Sequence, residues 1–299
     1  MRLGGASLHR PENLAELNAA VEQLDVYGLS TIVAPYRLGE MPDDEALEYG
    51  QRAAELDILL GEAHYLMNLM VADDEVRAQR IEDLRTVLRK ADLMGCYGVI
   101  SFAGTTHASD SISAPHPDNF TAAYRARFRD VVLRVLDGLD LQVTKLALEA
   151  NSNTFFYLPE DVAAFMEAVD HPHLGLHLDQ MNMVDQFSYY DTTTLIDTTF
   201  ELLGDRVVGA HFKDIRLDWS HNFLRLDEVL VGDGVLDFTT LLNHLGRMDR
   251  DLPCLCEHLD SEGDYAINFA RLHRLADELG YDFVRRGAGA PTTKEPADV

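Results

Sequence analysis

The sequence predicts an α/β protein built as one (β/α)8 barrel, and three observations carry that expectation. Short apolar runs alternate with amphipathic segments along almost the whole chain, the pattern of strands and covering helices in a parallel sheet. The alternation occurs eight times. Eight strand-plus-helix units in 299 residues suit a closed barrel, which takes about 250 residues plus insertions. A doubly wound open sheet is the competing expectation, but it more often carries a glycine-rich turn after its first strand, and GGASLHRP is a poor match to that turn.

The strands are expected at 2–8, 30–36, 59–66, 97–104, 145–151, 174–180, 207–214 and 253–259, each an apolar run bounded by polar or turn-forming residues. Helices follow at 11–26, 43–57, 76–94, 118–137, 160–169, 191–203, 237–248 and 264–279. Pro11 and Pro159 mark helix starts, and Ile81, Leu84 and Leu88 recur at the spacing of one helix face. No linker divides the chain, so residues 1–284 are read as one domain. Residues 285–299, rich in Gly, Pro and Thr, are read as a disordered tail. The longer excursions 105–118 and 215–236 both leave from strand C-termini, the face on which barrels carry their active sites.

Composition narrows the function. Against 51 acidic residues stand 25 basic ones, only four of them Lys, for a net charge of −26. A nucleic-acid partner is therefore not expected, since such proteins grip phosphates with a Lys/Arg surface. The excess of Asp over Glu suits a surface that stays soluble in concentrated salt. No apolar run reaches the roughly 18 residues that span a bilayer, and the N-terminus lacks the pattern of a secretory leader. A cytoplasmic protein with no membrane partner is expected. Cys96, Cys254 and Cys256 cannot form a disulfide framework and are expected to be reduced, buried strand residues.

The candidate chemistry lies on the last four strands. Glu149 in LALEAN, Asp179 in GLHLDQ, His211 in GAHFKD and Glu257 in CLCEHL each sit near the end of an apolar run. A lone carboxylate there costs several kcal/mol unless it is paired or metal-bound, and four consecutive strands aim these groups at one volume. Three carboxylates and one imidazole suit a single divalent cation such as Mn²⁺, Mg²⁺ or Co²⁺, and Zn²⁺ is compatible. Salt-bridged or helix-capping carboxylates are the structural alternative.

The Glu, Asp, His, Glu order on strands five to eight, with VVGAHFKD and VGDGVLDF, resembles the xylose isomerase-like TIM barrels, the sugar phosphate isomerases and epimerases. The motifs carry the likeness over about 140–280, and the first half shares only the repeat architecture. The resemblance implies that Glu149, Asp179, His211 and Glu257 bind one divalent metal, usually Mn²⁺, and that Glu149 and Glu257 act as acid and base on opposite faces of the substrate. Such a metal chelates a carbonyl and its neighbouring hydroxyl and stabilises the enediolate formed when the α-proton leaves. Returning the proton to the other face is epimerisation, returning it to the neighbouring carbon is isomerisation, and loss of a β substituent is elimination.

Relative to the ketose 3-epimerases, Asn182 stands where a His follows the metal Asp by three positions. Phe155 lies near the place of a substrate-holding Glu, and Arg216 is one position short of a substrate-holding Arg. The segment DQMNMVDQFSYYDT and the EHL end of strand eight are also similar to the catalytic subunits of C-glycoside deglycosidases. That likeness implies a lyase that eliminates the aglycone of a 3-keto C-glycoside beside a small second subunit. The expected partners are thus a small carbohydrate and either further copies of the chain or that subunit.

Other candidates are weaker. His64 and His107 end strands three and four and are candidate substrate contacts, as are Asn182, Lys213 and Arg216. Strand alternation puts Lys213 on the His211 side, whereas a Lys213–Asp214 salt bridge at the rim is the plain alternative. His177 shares its side with Asp179 one layer deeper, as a core residue or as support for a ligand. Phe155, Phe156, Tyr157, Phe187, Tyr189, Tyr190 and Trp219 fall in loops after strands five to seven, suited to a sugar pocket or to subunit contacts. Gly232 and Gly234 read as a tight turn rather than a phosphate loop.

Overall fold

The computed structural model describes residues 1–8, 10–220 and 222–288. In chain order its elements are β1 (Arg2–Gly5), α1 (Leu14–Tyr27), β2 (Thr31–Val33), α2 (Asp43–Glu55), β3 (Leu59–His64), α3 (Asp74–Met94), β4 (Gly98–Phe102), α4 (Ala122–Leu136), β5 (Lys145–Glu149) and α5 (Pro159–Val169). Then come β6 (Leu174–Asp179), α6 (Thr192–Leu203), β7 (Val207–Phe212), β8 (Asp214–Leu217), β9 (Leu226–Val229), α7 (Phe238–Leu245), β10 (Pro253–Cys256) and α8 (Glu262–Leu279). Each helix expected from the sequence is present within a few residues. Their ends follow local chemistry: Asn13, Asp73 and Ser261 accept N–H groups of the first turns of α1, α3 and α8.

Eight parallel strands form one sheet in the order β1-β10-β7-β6-β5-β4-β3-β2. The circle is completed where Ser30 N–H donates to Leu3 O at 3.0 Å. That approach depends on Gly4, since a Cβ there would lie 2.3 Å from Thr31 O. The chain is thus a single (β/α)8 barrel. Among the described residues no helix is long and apolar enough to cross a membrane.

At the N-terminal end of the strands charges are paired near solvent. Arg2 meets Asp57 at 2.9 Å and Asp251 at 2.7 Å, and both acids are about two-fifths exposed. The start of the expected tail is tied to this end: Arg286 donates to Leu56 O and pairs with Asp25, and Gly287 N–H donates to Asp57. The rest of that segment, 289–299, lies outside the described residues.

Two loop expectations change. Residues 214–217 and 226–229 form an antiparallel hairpin within the 215–236 excursion. Its return is fixed by the buried Asp214 carboxylate, which accepts N–H groups of Ile215, Gly232, Gly234 and Leu236 at 2.8–3.0 Å. A Cβ on Gly234 would fall 2.2 Å from Asp214 Oδ1, so the glycine serves this clamp. Phe155 and Phe156, read from the sequence as lining a sugar pocket or a subunit contact, are fully buried and pack against Phe128 and Phe165 of α4 and α5. Burying such rings stabilises by about 1.5–3 kcal/mol each, and this outweighs their loop position. Phe187, Tyr190 and Trp219 are exposed.

Candidate metal centre

Glu149 and Asp179 are the last residues of β5 and β6, His211 precedes the end of β7, and Glu257 directly follows β10. Neighbour pairing sets Asp179 beside His211, and His211 beside Leu255 two residues before Glu257. All four are buried, and one ligand atom from each lies within 4.8 Å of every other. His211 Nδ1 is 3.0 Å from Glu257 Oε1, 3.7 Å from Glu149 Oε2 and 3.9 Å from Asp179 Oδ2. None of these contacts has the geometry of a hydrogen bond to the ring nitrogen. This nitrogen is ringed by the three carboxylates at 3.0–3.9 Å.

Lys213 shares the His211 side of the strand. Its Nζ lies 2.5 Å from both Asp179 Oδ2 and Glu257 Oε1, while Asp214 points away into the hairpin clamp, so the two do not form the rim salt bridge considered from the sequence. Asn182 Nδ2 donates to Glu149 Oε1 at 2.7 Å. Three buried carboxylates thus face one ammonium. The crowding of carboxylates where little water reaches them is costly unless a further cation is present, and oxygen donors with one imidazole nitrogen suit a divalent ion. The residues present fit such a group.

Electrostatics without an ion express the same strain. Burial holds the Glu149 carboxyl well above the carboxylate range, against the attraction of His211. Burial also raises Asp179, with Lys213 opposing. For Glu257, burial is outweighed by His211 and Lys213, which hold it well below its usual value. His211 is raised well above an ordinary histidine because Glu257 and Glu62 outweigh its burial. A cation held here would displace protons from His211 and Glu149.

Behind His211 lies a group outside the set drawn from the last four strands. Glu62 of β3, 1% exposed, crosses the barrel to place its carboxylate oxygens 3.2 and 3.3 Å from His211 Nε2. Its Oε1 also lies 2.9 Å from His64 Nε2, and His64 Nδ1 lies 2.7 Å from Arg10. His177 packs edge-on against the His211 ring, centroids 4.1 Å apart. The sequence signal for Glu62 was the one used for the others: a carboxylate inside an apolar strand, LLGEAHYL.

The remaining candidates separate. His64 reaches the centre through Glu62. His107 bonds Ser109 in the exposed loop after β4, and Arg216 is exposed on β8. Among the described residues, no hydrogen bond or ion pair joins either to the four-residue cluster.

Residues 12–275 match the family model of the xylose isomerase-like TIM barrel, and the chain belongs to that family. Over 100 residues it is 30% identical to 3-oxo-isoapionate decarboxylase of Pectobacterium atrosepticum, a stretch that is 33% of this chain and 34% of that enzyme. Among solved structures, a xylose isomerase-like TIM barrel protein from Mycobacterium smegmatis in complex with magnesium superposes with a TM-score of 0.65 at 16% identity, covering 93% of this chain and 97% of the other. The 3-keto-D-glucoside 4-epimerase of E. coli gives 0.62 at 16% identity, over 93% and 99%. At these identities the likeness is one of fold.

Proposed function

We propose that the protein is a divalent-metal-dependent isomerase or epimerase of a sugar or sugar phosphate, working by proton abstraction next to a carbonyl. The observation that carries this reading is the unbonded His211 Nδ1 facing Glu149, Asp179 and Glu257. Glu149, Asp179, His211 and Glu257 would hold the ion, Mn²⁺ being the first choice and Mg²⁺, Co²⁺ or Zn²⁺ alternatives. When bound, it supplies the Lewis acidity that makes the carbon beside a carbonyl acidic.

The chain's own residues supply the rest. Glu149 and Glu257 are the proton-transfer pair, one removing the proton and the other returning it. Asn182 fixes the Glu149 carboxylate through its 2.7 Å hydrogen bond, which leaves Oε2 turned to the centre. Lys213 places a permanent positive charge beside Glu257, where it neutralises negative charge growing on a substrate oxygen. The family membership and the 3-keto-D-glucoside 4-epimerase likeness support a carbohydrate substrate.

A lyase reading shares the site and the first step and differs in what leaves: the aglycone of a 3-keto C-glycoside, with a small second subunit present. The partial match to a decarboxylase favours bond cleavage as the outcome. Incubating the Mn²⁺-loaded protein in deuterated water with ketoses, sugar phosphates and 3-keto glycosides tests both readings. Deuterium at the carbon next to the carbonyl, with an isomer as product, supports the first, and free aglycone supports the second. Turnover of these substrates by metal-stripped protein would overturn both.

A further inference from the structure

We propose that Arg10, His64 and Glu62 form a hydrogen-bonded chain of fixed direction that keeps a proton on His211 Nε2 and so presents Nδ1 to the cation. The inference rests on the metal-dependent reading above and assigns these three as positioning residues.

The direction follows from what each group can do. A guanidinium only donates, so Arg10 Nη2, 2.7 Å from His64 Nδ1, makes that nitrogen an acceptor. The remaining nitrogen of His64, Nε2, then carries the hydrogen and donates to Glu62 Oε1 at 2.9 Å. A carboxylate only accepts. Both oxygens of Glu62 lie within 3.3 Å of His211 Nε2, so Nε2–H of His211 donates as well, and the proton that a cation would displace is the one on Nδ1, the nitrogen that faces Glu149, Asp179 and Glu257. Reversing any one link would bring two donors or two acceptors together.

The chain is also held in place. The Arg10 guanidinium carbon lies 3.6 Å over the Tyr36 ring, a cation–π contact. Glu62 and His211 come from β3 and β7 on opposite walls, so their contact fixes the imidazole across the barrel. His177, 3.8 Å from Glu62 Oε2, is beyond hydrogen-bond reach and packs against the ring instead. Carboxylates behind metal-bound histidines set the tautomer and basicity of the ligand. Here a donor-only residue outside the cluster fixes the sense of the whole series.

The test compares wild type with Glu62→Leu, Glu62→Gln, Arg10→Met and Arg10→Lys in two measurements: calorimetric titration of the stripped protein with Mn²⁺, and ¹⁵N spectra that read the tautomer of His64 without metal and of His64 and His211 with Mg²⁺. Glu62→Leu is expected to weaken Mn²⁺ binding about 10- to 100-fold, the range seen on loss of such a partner. Glu62→Gln, which keeps an acceptor but no charge, falls between Glu62→Leu and wild type and covers the case in which Glu62→Leu does not fold. Arg10→Met weakens binding less and mixes the His64 tautomers, and Arg10→Lys, again donor-only, restores Nε2–H. Wild-type affinity in folded Glu62→Gln and Arg10→Met, with unchanged spectra, would overturn the chain. If wild type itself takes up no Mn²⁺, the metal reading fails, whereas the His64 tautomer of the metal-free protein still decides whether Arg10 sets the direction.

Discussion

At the N-terminal end of the strands Arg2 divides its guanidinium between Asp57 and Asp251, whose carboxylates reach solvent. At the C-terminal end Glu149, Asp179 and Glu257 crowd one imidazole nitrogen where none of them is more than about a tenth exposed. Both ends set carboxylates against cationic side chains. One shares a guanidinium between two carboxylates that water also solvates, and stabilises the fold modestly. The other collects like charges out of water, a cost that packing does not relieve and a bound cation does. Excess buried charge on a barrel's C-terminal face marks the functional end, and satisfied charge at the other face marks the structural one.

The strongest way to sharpen this contrast is to alter a single atom at the functional end. Glu257→Gln keeps the shape and removes the basic oxygen, and kcat on a turned-over sugar is expected to fall about 10²- to 10⁴-fold, measured by steady-state kinetics. Unchanged kcat would remove Glu257 from the proton-transfer pair.

Stripping the cation comes next. At a free concentration one hundred times Kd a ligand adds about 2.7 kcal/mol of stability, so chelation should lower Tm by several degrees in a thermal scan, and restored metal should reverse the loss. Because His211 and Glu149 are both raised in the ion-free state, binding releases protons and apparent affinity falls as pH falls. Affinity that rises toward acid pH would contradict the ligand set.

Arg2→Met probes the opposite end. Its partners are part-exposed, so the loss is about 1–2 kcal/mol of stability in a denaturant titration, with metal affinity unchanged. A parallel loss of metal affinity would mean that the two ends are not separable. The smallest effect is at the thiols: burial pushes Cys96 and Cys254 up to about 12, so the folded protein should resist alkylation at pH 8 and label only after denaturation. Rapid labelling of the folded chain would show that the barrel wall opens.

Periodicity was enough for the eight strands and eight barrel helices, because every unit has an apolar strand and a helix with one buried face. It did not show the hairpin, whose strands DIRL and LDEV are short and mixed in polarity and are held by the Asp214 clamp from a distance. Carboxylates in apolar runs marked Glu149, Asp179 and Glu257, with His211 alongside, because such residues need a reason to be buried. Glu62 gave the same signal on β3, but its purpose depends on a contact across the barrel with His211, 149 positions away. Arg10 gave none, since its role exists only through His64. Phe155 and Phe156 show the converse: a loop position in sequence does not reveal that α4 and α5 close over a ring.

Whether the crowded end holds one divalent ion is read from metal analysis by mass spectrometry of wild type and His211→Ala, each reconstituted with Mn²⁺ and desalted. One ion per wild-type chain and none in folded His211→Ala are expected. A wild-type protein that retains no ion after reconstitution, or a variant that retains a full equivalent, would show that these four residues do not hold a metal.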